Sequence, residues 1–380
     1  MHKKTEHPVP PGYILIAAQS DMDRTVEELR HAACAGMDTE ADSLHHYFEK
    51  VCLIQLSFNG RNVVIDPLSG IQLREFFEVL SEKELIFQGA DFDLRILKKS
   101  FGFRPKAPVF DTMLAAQVLG FEKIGLAAIV EKYFGVILSK TAQKADWSRR
   151  PLTENLLSYA SDDTRYLEAI ASRMSVRIEE LGRQHWIRQC CERAVRTADY
   201  TDAEEDREPW RIKGSFKMQP RALAFLRSLW NWRDEEARRR DRPSFMILKN
   251  EDLLALAQGC ADSPEALLSE LPDFLKKMKP ERFESLKNVI LSAADIDPSQ
   301  WPAQAPRTPW KDEKPYQGQL EKLMNACRER AGQLEIQPSF LAPRAALTAV
   351  AQQNPLGIEA IMQTSGLMRW QSEIVAEFLS

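Results

Sequence analysis

Hydrophobic positions divide the chain into an α/β region followed by two helical regions. Over the first two hundred residues, short apolar runs alternate with segments whose apolar residues recur at helical spacing. The runs VCLIQLSF and RNVVIDP are joined by Asn59-Gly60, the dipeptide that suits a type I′ hairpin turn. Strands that first form hairpins and then alternate with helices indicate a mixed sheet covered by helices. Strands are predicted at 12–18, 36–41, 51–58, 61–67, 85–88 and 108–110.

The rest of the chain has helical spacing throughout, interrupted by two polar stretches. An acidic stretch, DYTDAEEDREP, and a proline-rich stretch lack apolar periodicity and are predicted to be linkers. Pro243-Ser244-Phe245 and Pro338-Ser339-Phe340 are followed, at nearly the same distance, by Ala-Leu-Ala-Gln and Ala-Val-Ala-Gln. Two copies of one helical module explain this match economically, and chance is the alternative. The predicted organisation is 1–198, linker 199–215, helical domain 216–296, linker 297–315 and helical domain 316–380.

Composition narrows the class of protein but leaves its function open. The chain has 380 residues, 44% hydrophobic and 28% charged, as in soluble globular proteins. No apolar run approaches the roughly 18 residues of a membrane span, and the N-terminus lacks a signal-peptide core, so we expect a cytoplasmic protein without a membrane partner. The six cysteines show no zinc-ligand spacing and are expected to be reduced. A net charge of −4 neither indicates nor excludes nucleic-acid binding.

Acidic residues in three separate segments are the candidate chemistry. Asp38 and Glu40 lie in an otherwise apolar predicted strand and would share one face of it, since side chains alternate. Asp93 would lie in the first turn of a helix that Asp91 could cap. Tyr159 and Asp163 are four apart on a predicted helix and would share its face. Each signal has an ordinary alternative: an edge strand with a solvated face, a helix cap, and a surface Tyr–Asp contact.

Convergence of the three segments would favour a metal site. Four carboxylates meeting at one edge of a sheet would repel each other unless cations balance them. Carboxylate oxygens suit Mg²⁺ or Mn²⁺, and two such ions form a clamp that can cleave phosphodiesters.

With these residues in place, the sequence resembles the ribonuclease D family of the DEDD exonuclease superfamily, in its tyrosine-containing branch. The motif Asp-x-Glu corresponds to Asp38 and Glu40, the second motif to Asp93, and Tyr-x-x-x-Asp to Tyr159 and Asp163. The stretch 125–167, with DWSRRPL before the tyrosine motif, carries the most specific part of the match. Gln88 stands where many members have His, outside the expected metal ligands. Segment 216–296 resembles the HRDC module, and 316–380 looks like a diverged second copy.

The resemblance implies a ribonuclease H-like exonuclease domain followed by two HRDC-type domains, acting as a 3′→5′ exoribonuclease that releases nucleoside 5′-monophosphates. It implies two divalent ions, Mg²⁺ or Mn²⁺, with Asp38 bridging both, Glu40 and Asp163 completing one site, and Asp93 supporting the other. Tyr159 would align the attacking water. The implied substrate is structured RNA with a 3′ single-stranded end, such as a tRNA precursor, and we expect a monomer.

Basic residues before the tyrosine motif are the candidate RNA contacts. Lys140, Lys144, Arg149 and Arg150 could line the entry of a single strand, or could simply face water, and Trp147 is expected to pack in the core. In the first helical domain, Arg238–Arg240 and Lys276, Lys277 and Lys279 are further candidates, offset by neighbouring acids. His45 and His46 are expected to be a solvated pair on the loop after the acidic strand. A DNA exonuclease and a non-catalytic nucleic-acid adaptor are the alternative functions.

Overall fold

The computed structural model describes residues 12–139, 142–200, 208–304 and 315–379, and the chain divides into two compact units. The first unit combines the α/β region with the C-terminal helices. The second contains the central helices together with the segment Asp42–Glu49, which lies between two strands of the first unit in sequence.

One six-stranded mixed sheet forms the centre of the first unit. Its order is β1-β4-β3-β2-β5-β6, with β3 antiparallel to both β2 and β4 and the other pairs parallel. Asn59 and Gly60 both have positive φ, 49° and 75°, which confirms the predicted turn between β3 and β4. The strands are β1 Ile14–Ile16, β2 Cys34–Ala41, β3 Val51–Phe58, β4 Arg61–Ile65, β5 Glu84–Phe87 and β6 Val109–Asp111.

Helices cover both faces of this sheet. Apolar residues of α1, α2 and α3 pack on one face in a single cluster with Met37, Ile54 and Leu56, whereas α6 packs on the other face with Leu53 and Val64. The helices of the α/β region are α1 Gln19–Arg30, α2 Arg74–Ser81, α3 Asp91–Phe101, α4 Thr112–Val118, α5 Leu126–Phe134, α6 Glu154–Arg165, α7 Leu167–Glu180 and α8 Gln184–Tyr200. Among the described residues, no helix is both long and apolar enough to cross a bilayer.

The second unit is a helical bundle whose core begins within the predicted acidic linker. Trp210 is 5% exposed and belongs to the same apolar cluster as Leu223, Leu226 and Leu229 of the helix that follows it. Residues 201–207 of that linker lie outside the described residues. The helices are α9 Pro220–Arg240, α10 Ser244–Ile247, α11 Asn250–Asp262, α12 Pro264–Ser269, α13 Asp273–Lys276 and α14 Pro280–Ala294.

The segment Asp42–Glu49 is held within the second unit by the end of α9. The Asp241 carboxylate accepts hydrogen bonds from the backbone N–H of Tyr47 (3.0 Å) and Phe48 (3.2 Å), and it lies 2.6 Å from His46 Nδ1. The Tyr47 hydroxyl donates to Asp234 at 2.9 Å. The prediction that His46 is merely solvated is therefore wrong, because a carboxylate distant in sequence contacts its ring.

The C-terminal helices share a continuous apolar core with the α/β region. Trp370 stacks on Trp186 of α8 with ring centroids 4.3 Å apart. The buried Arg183 guanidinium donates to the carbonyl oxygens of Val118 (2.7 Å) and Leu334 (2.6 Å). The C-terminal helices are α15 Gln317–Gln333, α16 Pro338–Leu341, α17 Arg344–Gln353, α18 Ile358–Ser365 and α19 Arg369–Ala376. The C-terminal segment therefore shares its apolar core with helices α4, α5, α7 and α8 of the α/β region.

The helices of the second unit and those at the C-terminus follow one another in a similar order, which supports the repeat seen in the sequence. In each copy a long helix is followed by a residue with positive φ, Asp241 (47°) or Glu335 (52°), and then by a four-residue helix at the Pro-Ser-Phe motif. Near the end of each long helix lies a fully buried alanine, Ala237 or Ala331. Its carbonyl oxygen accepts a hydrogen bond from the backbone N–H five residues later. That the C-terminal helices are a second HRDC-like copy remains a prediction.

Gly120 joins the two parts of the first unit, and replacing it should weaken that junction. Gly120 has a φ of +74°, and a Cβ built on it would lie 1.7 Å from the Glu335 carbonyl oxygen. We expect Gly120→Ala to lower the free energy of unfolding by about 1–2 kcal/mol for the backbone conformation and about 1–3 kcal/mol more for the overlap.

Gly135→Ala is the matched control for urea unfolding. Gly135 has nearly the same φ, +71°, and no atom within 4 Å of a built Cβ, so only the conformational cost applies. Equal effects of the two substitutions would contradict the packing assigned to Gly120.

Candidate active site

The central position of β2 places two carboxylates on one covered face of the sheet. β2 pairs with β3 on one side and β5 on the other, so it is not an edge strand. Met37 and Thr39 are buried on the face opposite Asp38 and Glu40, as the alternation of strand side chains requires. The alternative of an edge strand with a solvated face is therefore wrong.

Helix α6 brings a third carboxylate to these two. Thr153 caps the helix by accepting from the Leu156 N–H, and α6 packs on the sheet through Leu157 and Ala160. Carboxylate oxygens of Asp38, Glu40 and Asp163 lie within 4.8 Å of one another. The neighbouring Asp162 instead pairs with Arg165 at 2.9 Å. The helical periodicity thus separates two adjacent acids into different environments.

The fourth acid, Asp93, is buried in the first turn of α3. It is 5% exposed and accepts a 2.6 Å hydrogen bond from Thr39 Oγ1. The helix is capped at Ala90 without a side-chain bond, so the alternative role of Asp91 as N-cap is wrong. Asp91 is the first helical residue and pairs with Arg95 at 2.8 Å.

Burial and mutual repulsion make this site costly to ionise. Burial, followed by the charges of Asp93, Asp163 and Glu40, raises the pKa of Asp38 well above its usual value. Burial, with the charges of Asp163 and Asp93, raises the pKa of Glu40 to about 9. Burial is also the main cause that raises the pKa values of Asp93 and Asp163 to about 7. An added positive charge would relieve this repulsion.

No protein cation balances these four acids in the part of the chain that the structure describes. Its ion pairs include none between a lysine or arginine and Asp38, Glu40, Asp93 or Asp163. An all-oxygen donor set of carboxylates is the one that Mg²⁺ and Mn²⁺ prefer. The residues present therefore fit a divalent cation.

Tyr159 lies beside the carboxylates with its hydroxyl protonated. Burial, and then the charges of Asp163, Glu40 and Asp38, raise its pKa further above the usual value. Its ring packs 6.1 Å from that of Trp147, centroid to centroid, and its hydroxyl is hydrogen-bonded to Gln143. The tyrosine can therefore act as a hydrogen-bond donor at the edge of the site but not as a base.

The predicted RNA contacts separate into different roles. Trp147 is 1% exposed, which confirms core packing. Arg150 donates to Asp66 at 2.6 and 2.7 Å and to the Cys52 carbonyl oxygen at 3.0 Å, so we assign it to holding its loop and remove it from the RNA contacts. Arg149 is exposed and pairs only locally, with Asp146 at 3.0 Å. Lys144 is exposed, and Lys140 lies outside the described residues.

In the second unit, several of the candidate arginines and lysines form ion pairs with acids of their own helix. Arg239 and Arg240 pair with the buried Glu236 at 2.6 and 2.8 Å. Lys276 pairs with Asp273 at 2.9 Å. These pairs partly neutralise the positive charge that would attract RNA phosphates.

Sequence reasoning missed the residues that position the ligands. Thr39, between the two acids of β2, holds Asp93 from the other face of the sheet. Asp111 accepts from the N–H groups of Gly89 (3.0 Å) and Ala90 (2.9 Å) and so fixes the turn from which α3 starts. Asp111 also caps α4, and an acid directly before a helix is a signal that the sequence carried.

Comparisons with known proteins identify the family of this chain. Residues 13–179 match the family model described as 3′-5′ exonuclease, and 222–279 match the HRDC domain. Ribonuclease D of Xanthomonas oryzae pv. oryzae is 30% identical over 325 residues, covering 84% of this chain and 86% of the relative. Ribonuclease D of Gluconacetobacter diazotrophicus is 32% identical over 68% of this chain and 66% of its own.

Solved structures share the fold of the whole chain. A protein from Bifidobacterium adolescentis superposes with a TM-score of 0.81 at 24% identity, covering 99% of this chain and 97% of its own. Escherichia coli RNase D superposes with a TM-score of 0.73 at 23% identity, covering 97% of each chain. The sequence relatives, the exonuclease model and the HRDC match together show that this chain belongs to the ribonuclease D family and is a 3′–5′ exoribonuclease.

Proposed function

We propose that the protein shortens RNA from its 3′ end by a two-metal mechanism and that it trims tRNA precursors or other structured RNAs. The observation that carries the mechanism is the group of three carboxylates within 4.8 Å of one another, to which Asp93 adds a fourth nearby charge. Such a group suits divalent cations, and phosphodiester cleavage uses pairs of them.

Each of the four acids would bind or support the cations. Asp38, whose pKa is raised by the charges of the other three acids, would help to hold both cations. Glu40 and Asp163 would complete one site, and Asp93 would support the other. When bound, the cations lower the pKa of water and stabilise the leaving oxygen. The protein contributes rigid placement, since β2, α3 and α6 each fix their acids by packing.

Tyr159 is assigned to orient the attacking water by donating a hydrogen bond. We expect Tyr159→Phe to lower kcat about 10- to 100-fold, the order of effect that orientation contributes, with KM changed less than about threefold. The ring would still pack beside Trp147, so the free energy of unfolding should change little.

Single-turnover hydrolysis of a 3′-labelled RNA, with Mn²⁺ affinity measured in parallel, checks this assignment. Wild-type rates for the phenylalanine variant would show that its hydroxyl is not used.

RNA contacts near the site are assigned to Lys144 and Arg149, which are exposed close to the start of α6. The HRDC domain is proposed to bind the body of the RNA. Structured RNA is favoured as substrate because the similar Escherichia coli RNase D is described as an exoribonuclease involved in structured RNA processing.

The deciding experiment incubates the protein with matched RNA and DNA strands in Mg²⁺, Mn²⁺ or EDTA. Stepwise release of nucleoside 5′-monophosphates from RNA, only with metal, is expected. Equal shortening of DNA would favour the alternative DNA exonuclease, since recognition of the 2′-hydroxyl would then be missing. A tRNA precursor with a 3′ extension, compared with an unstructured RNA of equal length, tests the substrate class.

A further inference from the structure

Gln55 is a fully buried amide directly across the sheet from Asp38. It lies in the middle of β3, and its Cα pairs with that of Asp38 in the antiparallel register. Directly paired residues project to the same face, with Cβ atoms about 4.5–5.5 Å apart. The side chain of Gln55 therefore lies on the face that carries the carboxylates.

Its neighbours along β3 confirm this orientation. Ser57, two residues on, donates a 2.9 Å hydrogen bond to Thr164 at the end of α6. Leu53, two residues back, packs in the cluster of Trp147 and Leu157 under the same helix. Gln55 lies between them, beneath the helix that carries Tyr159 and Asp163.

Neither polar atom of this amide has a hydrogen-bond partner. Gln55 is 0% exposed, and both Oε1 and Nε2 are unpaired within the described structure. An unsatisfied buried amide costs about 1–3 kcal/mol. Gln371, which is 2% exposed, shows the usual solution: it accepts from the Met368 N–H at 2.9 Å and donates to the Phe340 carbonyl oxygen at 2.7 Å.

We propose that Gln55 is a positioning residue for Asp38, donating from Nε2 to the Asp38 carboxylate when divalent cations occupy the site. This inference rests on the proposed function. A carboxylate has about four lone-pair sites, so it can bind cations and still accept from one amide. Partners of this kind orient ligands, and removing them typically weakens metal affinity about 10- to 100-fold.

A purely structural role predicts a different outcome. The residues beside Gln55 on this face include Leu53 and Val64, so an apolar side chain of the same shape would fit at least as well as an amide. If packing were the only role, Gln55→Met would leave metal binding unchanged.

The test measures Mn²⁺ binding to the full chain without RNA, by titration calorimetry and by the rise in melting temperature. For Gln55→Met, we expect a metal-free melting temperature equal to or above that of wild type and a Kd for Mn²⁺ raised at least about 10-fold. Gln55→Leu should behave in the same way. The matched control, Gln371→Met, should melt lower without metal and keep the wild-type Kd.

Each other outcome is decisive. An unchanged Kd in both Gln55 variants would overturn the positioning role, and so would a metal-free melting temperature well below wild type, because the amide would then be satisfied without metal. Failure of the wild-type chain to bind Mn²⁺ would instead overturn the proposed two-metal mechanism itself.

Discussion

The Asp163→Asn enzyme should lose about a thousandfold or more in kcat while remaining folded. Asp163 contributes one of the three carboxylates within 4.8 Å, and it is the only described ligand candidate that comes from α6. A metal contributes several kcal/mol to stabilisation of the transition state, and about 4 kcal/mol corresponds to a thousandfold in rate. RNA binding should be largely retained, because the other proposed RNA contacts are unchanged.

The substitution should also make the metal-free protein more stable. A neutral amide in place of the Asp163 carboxylate would remove a buried charge that raises the pKa values of Asp38, Glu40 and Tyr159. A gain in urea midpoint without metal, together with loss of hydrolysis, would distinguish a ligand from a residue that merely supports the fold.

Asp162→Asn is the matched control, since it changes the adjacent residue in the same way. Asp162 pairs with Arg165 at 2.9 Å and is not among the three carboxylates that lie within 4.8 Å of one another. The activity of Asp162→Asn should stay within about threefold of wild type, because Asp162 is not a proposed metal ligand. Full activity of Asp163→Asn, or equal losses in both variants, would show that the assignment of the third motif is wrong.

The second large effect is a loss of stability of the metal-free protein as pH rises. The folded pKa values of Glu40 (about 9), Asp93 and Asp163 (about 7) lie above the ordinary values of 4.5 and 3.8. At these three positions the folded chain therefore binds more protons than the unfolded chain when the pH lies between the ordinary and the raised pKa values. The stability that these acids contribute is greatest at low pH and is lost as pH rises through the folded pKa values.

We expect the free energy of unfolding in EDTA to fall by at least about 1.4 kcal/mol between pH 5 and pH 8, the equivalent of one pKa unit. Saturating Mg²⁺ should remove most of this loss, because the bound cations replace the protons as partners of the carboxylates. Urea unfolding at both pH values, with EDTA and with Mg²⁺, measures the difference.

Glu40→Gln provides the control, since it removes a carboxylate whose pKa is raised to about 9. The variant should show a smaller pH dependence in EDTA than wild type. A metal-free wild-type chain whose stability rises from pH 5 to pH 8 would contradict the electrostatic description of the site.

Much of the local structure followed from the sequence because its signals are local. Asn59-Gly60 determined the β3–β4 hairpin, and the alternation along β2 placed Asp38 and Glu40 on one face. Four-residue spacing placed Tyr159 with Asp163 and separated both from Asp162. The first-turn position of Asp93 was also predictable, whereas its cap was not, since Ala90 provides no side-chain bond.

Contacts between distant segments could not be derived in this way. Thr39 and Asp93 are 54 residues apart, and only the packing of α3 against β2 brings their side chains within 2.6 Å. From the sequence, Arg150 could contact RNA or face water, whereas in the structure its guanidinium pairs with Asp66, 84 residues earlier. His46 likewise contacts Asp241, which lies 195 residues later in the sequence.

The sequence by itself determined the order of most elements, which acids share a face of a strand or helix, and the family resemblance. Strand alternation and helical spacing follow from local backbone geometry, and the motifs are short stretches of sequence. The tertiary structure decided the rest: that the C-terminal helices share a core with helices of the α/β region, that three carboxylates meet without a protein cation among the described residues, and that Gln55 lies unpaired opposite Asp38. Those features depend on strand order and on helices packing across the sheet, which sum many weak long-range contacts that no local pattern records.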